Sequence, residues 1–417
     1  MTPAARLSAA IEVLDRIASS RQPADQALRA WGTHNRYAGS KDRRAVADRV
    51  YLCLRERGGE GSGRRMALAS LKLDDGLQEG EIDALFSGEG HAPAPLTAEE
   101  RGWLAGLSGE TRLPAFIEAE LERGFGPEWR EEAEALLKSR APLDIRINTL
   151  KADADTIRQV LDGTGLVWDA ADYAFCGIRM SGSPDVQALP AFKDGVLEVQ
   201  DEGSQIAAAM VDPRPGETVV DYCAGGGGKT LALAAAMHGE GRLIASDIDP
   251  KRLEAIRPRL ARAGARAELR LLSPGAMDDL AGRADRVLVD APCSGSGTWR
   301  RRPEEAWRLT EGELQRLRTL QTEVLSGASA LVRPGGRLAY VTCSVLPSEN
   351  ADVVRAFAAS HPEFTPLSVA EGVRLAKLTD FARERLAELS HGGHTVQLSP
   401  RRTGTDGFFI ALFQRTS

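Results

Sequence analysis

Two of the five cysteines stand where covalent chemistry is possible. Cys293 lies in "VLVDAPCSGSG" (287–297) and Cys343 in "YVTCSV" (340–345). Each closes an apolar run that reads as a strand. A thiolate at a strand end is a nucleophile. One buried cysteine alone is more often a small apolar filler, but two that end neighbouring strands point to a shared task. Cys53, Cys176 and Cys223 are scattered and no C-x-x-C pair occurs, which argues against a zinc site or a disulfide framework. "HGGH", with His391 and His394, has no partner ligands nearby and reads as a loop, so no metal is expected.

A second phrase, "DYCAGGGGKT" (221–230), ends like a triphosphate-binding loop. That motif needs a glycine five places before Gly228, where Cys223 stands. An ATPase reading is thereby weakened, and retention on ATP-agarose without other cofactor binding would revive it. Four consecutive glycines, Gly225 to Gly228, instead let a ligand approach the backbone at a helix N-terminus. Asp247 ends the next strand, 19 residues after Gly228, where a carboxylate can bind the two hydroxyls of a ribose. Together they imply a nucleoside-containing cofactor.

These phrases need a scaffold. From about Asp201 the chain alternates strand and helix: "ETVVDYCAGGGGKTLALAAAM", "GRLIASDIDPKRLEAI", "ADRVLVDAPCSG", "GGRLAYVTCSV". Such alternation specifies an α/β domain with an open parallel sheet covered on both faces, expected over 201–417. All four phrases then sit at strand carboxyl ends and face one crevice. Residues 136–200 read as a small α+β module, with strands at Ile145–Ile147, "GIRMSG" and "GVLEVQ" and a helix from Ala154 to Leu161. Residues 1–135 read as helices. Leu7, Ile11, Leu14 and Ile17 recur at helical spacing, as do Val46, Val50 and Leu54. Between them "WGTHNRYAGSKDRR" interleaves Trp31 and Tyr37 with basic residues, and "RGGEGSGRR" and "SGEGHAPAPLT" read as loops.

The chain of 417 residues is too long for one core. Its 42% hydrophobic and 27% charged residues are ordinary for a globular protein. No stretch approaches 18 apolar residues, so no membrane span is expected, and without a leader pattern a cytoplasmic location is. The net charge of −6 does not advertise a nucleic-acid partner, but local basic clusters can bind one.

"DAPCSGSGTWRRRPE", "YVTCSVLPSEN" and the glycine loop together resemble the Sun-type RNA cytosine-5 methyltransferases, a family that includes a bacterial 16S ribosomal RNA enzyme. "DGFFIALFQR" (406–415) resembles the family's closing strand and "IRINTLK" the start of its small RNA-contacting module. "ALRAWGTHNRYAGSKDRRAVADRVY" resembles the NusB-like domain of some members. The resemblance implies a Rossmann-like methyltransferase domain using S-adenosylmethionine, preceded by the small module and an all-α NusB-like domain. It implies Cys343 as nucleophile toward cytosine C6, Cys293 as helper in releasing the adduct, and Asp290 as contact to the cytosine N3 and amine. Amine methyltransferases commonly carry an aromatic residue where Asp290-Ala291-Pro292-Cys293 has cysteine, which favours carbon methylation. The implied cofactor set is Cys223, Ala224, Gly225, Gly226, Gly227, Gly228, Lys229, Asp247, Arg252, Ser273 and Asp290. Gly225-Gly226 replaces the family's Ala-Pro. The adenine-binding aspartate has no direct match; Ser273 stands near its place, and Asp278 reaches it only with a rearranged loop.

RNA, most of all 16S ribosomal RNA, is the expected partner of a monomeric enzyme; tRNA is the alternative substrate, and a non-catalytic RNA-binding scaffold the alternative of another class. Arg300, Arg301 and Arg302, after the Pro-Cys turn, are expected to hold phosphates. Arg146 and Asn148 in the small module are expected to contact RNA, as is the basic segment from Arg36 to Arg57.

Overall fold

Valine- and isoleucine-rich runs, apolar on both faces, build the centre of a nine-stranded sheet. The computed structural model describes residues 1–416 except 21, 59–60, 108–112 and 183; part of the glycine-rich run at 57–65 thus lies outside the described residues. Four short strands come first in the chain: β1 (Leu143–Ile147), β2 (Trp168–Ala170), β3 (Gly177–Met180) and β4 (Leu197–Val199). The large sheet holds β5 (Thr218–Asp221), β6 (Arg242–Asp247), β7 (Glu268–Leu271), β8 (Ala284–Asp290), β9 (Val332–Thr342), β10 (Phe364–Pro366), β11 (Ser390–His391), β12 (Thr395–Gln397) and β13 (Phe409–Arg415). Their order is β11-β12-β13-β9-β8-β5-β6-β7, with β10 on β13.

The strands β5 to β9 are parallel, with Val220 opposite both Ile244 and Val287. Alternation along β5 sends Val219 and Val220 into separate apolar clusters. The Val219 cluster takes in Leu231 and Ile256 from helices Gly228–Ala236 and Pro250–Ala263. The Val220 cluster takes in Leu325 and Phe357 from helices Glu311–Ser329 and Ala351–Ser360. From β5 the chain steps outward to β6 and β7, then returns to β8 on the other side. The switch point between β5 and β8 is where such sheets open a crevice. The sheet is mixed rather than wholly parallel: β13 runs antiparallel to β9, and β10 and β12 run antiparallel to β13. Strands β10 to β12 are two or three residues long, too short for alternation to betray them.

The strands β1 to β4 form a separate antiparallel sheet in the order β2-β3-β1-β4. Ile145, Ile147 and Ile178 pack under the helix Ala154–Asp162 through Ile157 and Leu161. Asp153 begins that helix by accepting a hydrogen bond from Thr156 N.

Residues 123–126, 141–297 and 311–417 form this α/β unit; residues 1–122, 127–140 and 298–310 form a helical one. The stretch 298–310 therefore belongs with the N-terminal helices, not with the strands that flank it in sequence. In the helical unit Leu14, Ile17, Val46, Val50 and Leu54 are buried together, at the periodic positions. Trp31 joins them at 2% exposure, whereas Tyr37 is 74% exposed. The helix Ala24–His34 begins after Pro23, which has no side-chain cap. Glu304 replaces the cap, its Oε1 accepting from Ala24 N at 2.9 Å. Trp307 Nε1 donates to Leu54 O (2.7 Å), and Arg308 Nη2 to Ile17 O (2.6 Å) in the last turn of the helix Pro3–Ser20.

Candidate active site

Register brings the two cysteine loops together. Asp290, the last residue of β8, lies opposite Val341 of β9, and Ala291 N continues the ladder to Val341 O at 2.8 Å. The chains leaving both strands then run side by side, and Cys293 Sγ lies 3.4 Å from Cys343 Sγ. Gly297 N donates to Cys343 O (2.9 Å), closing the loop. The Cys343 hydrogen bond and then burial push the Cys293 thiol well above its ordinary value, with the Glu349 charge adding to both. Either sulfur can be the donor of this contact. Cys223 is also pushed up, by burial first and then by neighbouring aspartates, which leaves it inert as a nucleophile.

Lys229 enters from the first turn of the helix Gly228–Ala236. Its Nζ lies 2.7 Å from Asp290 Oδ2 and 5.0 Å from the centre of the Phe408 ring. Burial alone pulls Lys229 down; the Asp290 carboxylate and the nearby Cys343 sulfur outweigh it, and the net direction is up. A lasting positive charge thus stands beside the thiol pair. Below it Asp221 is fully enclosed, accepting from Thr230 Oγ1 at 2.6 Å, and burial pushes its carboxyl up to about 7.

The glycine loop departs from β5 in a conformation that demands glycine. Gly225 and Gly227 have φ of +52° and +79°. A Cβ on Gly227 would sit 2.9 Å from Ile256 Cγ2. Gly227 caps the following helix in the left-handed region. Asp247, 5% exposed, accepts from Gly225 N at 2.9 Å and from Asp249 N at 2.8 Å, so one carboxylate orders the loop and the turn after β6. Beside it opens a cavity of about 680 Å³, a size suited to a nucleoside cofactor. Of the expected cofactor residues, Cys223, Asp247, Arg252, Ser273 and Asp290 line it. Ala224, Gly225, Gly226, Gly227, Gly228 and Lys229 form the loop and the helix start and are not among its lining residues. Asp278 lines it as well, beside Ser273. Sequence reasoning missed the apolar wall of Ile248, Leu272, Pro274, Met277 and Pro292. Ile248 is 79% exposed directly after the acidic strand end, and that position was its sequence signal. An acid for hydroxyls, an apolar wall for a base and small-residue backbone at a helix N-terminus fit S-adenosylmethionine. Asp247 would hold the ribose and Ile248 would lie against the adenine.

The expected RNA contacts are placed differently. Arg146 lies inside the α/β unit, its Nε donating to Gln200 Oε1 at 2.7 Å, and burial pulls it down to about 10. Asn148 Nδ2 donates to Gly195 O and Ala263 O, both at 2.8 Å, and Oδ1 accepts from Leu150 N, so the side chain is spent on internal bonds. Arg300 is 4% exposed within the helical unit, Arg301 is half-buried and Arg302 is exposed. Among the described residues no group of histidine, cysteine and acidic side chains has the form of a metal site, and no helix is long and apolar enough to cross a membrane.

Sheet order, switch-point crevice and helix layers are those of the α/β methyltransferase fold. Residues 208–414 match the family model described as 16S rRNA methyltransferase RsmB/F. The chain is 33% identical over 305 residues to the ribosomal RNA small subunit methyltransferase B of Pseudomonas putida, covering 72% of this chain and 66% of that one. It is 30% identical to the probable ribosomal RNA small subunit methyltransferase B of Bacillus subtilis, covering 74% and 68%. The solved structure of PH0851 superposes with a TM-score of 0.78 at 25% identity, covering 99% of each chain. The chain belongs to the RsmB/F family of 16S rRNA methyltransferases. It spans about two thirds of the length of the curated relatives it matches.

Proposed function

We propose that the chain methylates C5 of cytosine in RNA, 16S ribosomal RNA foremost, through a covalent cysteine adduct. The observation that carries this reading is the 3.4 Å approach of Cys293 and Cys343 beside the Lys229–Asp290 pair. Methylation of an amine needs no thiol, because nitrogen offers a lone pair. The C5 carbon does not, and a thiolate must first add to C6.

Cys343 supplies that thiolate, forming the S–C6 bond and leaving electron density on C5. Asp290 faces the ring N3 and amine, and Lys229 holds that carboxylate in place. Bound S-adenosylmethionine supplies an electrophilic methyl group from its sulfonium. The C5 proton then passes to solvent water, the electrons of that C–H bond re-form the C5–C6 double bond, and the S–C6 bond breaks with Cys343 leaving as thiolate. Cys293, 3.4 Å away, donates to the departing sulfur and lowers the cost of its charge. The small module and the helical unit each supply RNA contacts, and one chain suffices for the reaction.

Incubation with methyl-labelled S-adenosylmethionine and unmodified 16S RNA tests this reading. Label recovered as 5-methylcytosine, absent with Cys343→Ala, supports it; label on an exocyclic amine, or none on any RNA, refutes it. Transfer RNA as the preferred acceptor would leave the chemistry and change the substrate.

A further inference from the structure

We infer that Glu349 is a positioning residue whose buried carboxylate ties the loop after β8 to the loop after β9 and so sets the separation of Cys293 and Cys343. Glu349 is 0% exposed. Its Oε1 accepts from Ser294 N at 2.8 Å and from Gln321 Nε2 at 2.9 Å. Its Oε2 accepts from Ser294 Oγ and Ser344 Oγ, both at 2.5 Å. Ser294 and Ser344 are the residues that follow the two cysteines. Gln321 also donates to Pro292 O at 3.0 Å, immediately before Cys293. The carboxylate thus holds the residue after each cysteine directly, and through Gln321 it is tied to the residue before Cys293.

Only an acceptor-rich group can do this. An ionised carboxylate is acceptor-only and takes several donors at once, whereas an amide must turn an N–H toward some of them. Burying such a charge is costly unless its lone pairs are used, and short charge-assisted bonds to hydroxyls recover much of that cost. Glu349 does not itself line the cofactor cavity.

The distance can be read without RNA. Diamide oxidises two adjacent thiols to a disulfide; the sulfurs lose two electrons and two protons, and its N=N bond becomes a hydrazine. In the full-length chain the Cys293–Cys343 disulfide is expected to form at least ~10-fold more slowly in Glu349→Ala, with Glu349→Gln between, after correction for the alkylation rate of each thiol. Single-turnover methyl transfer is expected to fall by about 10²-fold, as for a displacement of about 1 Å, at unchanged S-adenosylmethionine affinity. Only this second arm rests on the proposed function. If the wild-type chain methylates no RNA but the disulfide rates separate as stated, the function fails and the positioning stands. A folded Glu349→Ala that cross-links at the wild-type rate overturns the positioning. If that variant does not fold, the Ser294→Ala/Ser344→Ala double variant removes both hydroxyl arms, and a wild-type rate there overturns it equally.

Discussion

Lys229 Nζ and Asp290 Oδ2 stand 2.7 Å apart and join the helix after the glycine loop to the end of β8. One ion pair therefore links the helix after the glycine loop to the strand end that leads into the Cys293 loop. Lys229 also lies close enough to Cys343 for that sulfur to raise its basicity.

The two thiols are expected to fail differently when replaced. Cys343→Ala removes the attacking sulfur, so neither 5-methylcytosine nor a covalent complex forms. Cys293→Ala leaves attack possible but removes the proton donor to the departing sulfur, and a protein–RNA adduct accumulates as a slow band on a denaturing gel. The double variant shows no band. The reverse pattern, a band with Cys343→Ala alone, would exchange the two roles.

Asp247→Ala is expected to weaken S-adenosylmethionine binding by roughly 1–3 kcal/mol, the range for losing hydrogen bonds to a buried charged group. The same change frees Gly225 N and Asp249 N, so amide exchange in both turns should rise as well. Calorimetry on the folded variant measures the first effect; an unchanged affinity would move the ribose elsewhere in the cavity.

Asp221 should make stability depend on pH. Its carboxyl rises from 3.8 to about 7 on burial. Between those values the folded chain holds a proton that the unfolded chain gives up. This contribution is complete below about pH 4 and is lost as pH rises through about 7, a difference on the order of a few kcal/mol. Asp221→Asn removes it, so the variant should gain stability relative to wild type on going from pH 5 to pH 8. Urea unfolding at the two pH values checks the sign, and parallel behaviour of the two chains would count against it.

Arg302 and Arg300 should separate in a salt titration. Arg302 is exposed, so Arg302→Ala is expected to flatten the slope of log affinity for RNA against log salt by about 0.7–0.9 if it contacts one phosphate. Arg300 is buried in the helical unit, so Arg300→Ala is expected to lower the melting temperature. An unchanged slope with Arg302→Ala would assign that side chain to solvent.

The centre of the site was legible because each of its parts ends a strand. An apolar run followed by Asp247, by Asp290-Ala291-Pro292-Cys293 or by Thr342-Cys343 places those groups at carboxyl ends without knowledge of the sheet order. Glu349 was not legible. In "LPSEN" it reads as a polar loop residue, and its partners Ser294 and Gln321 lie 55 and 28 residues away. Asn148 and Arg146 were expected to contact RNA because they lie in the small module. In the fold they satisfy backbone carbonyls and a glutamine amide in the interior. Sequence adjacency to the Pro-Cys turn did not reveal that residues 300–302 belong to the helical unit.

Residues 298–310 impose an order on synthesis. The first helices leave the ribosome long before Glu304, Trp307 and Arg308 exist to bond Ala24, Leu54 and Ile17. At about 5–20 residues per second that interval is on the order of ten seconds or more. During it the helix Ala24–His34 has neither a side-chain cap of its own nor the borrowed carboxylate. The helical unit therefore gains these three bonds only after β5 to β8 have been made and before β9, which carries Cys343 at its end, begins.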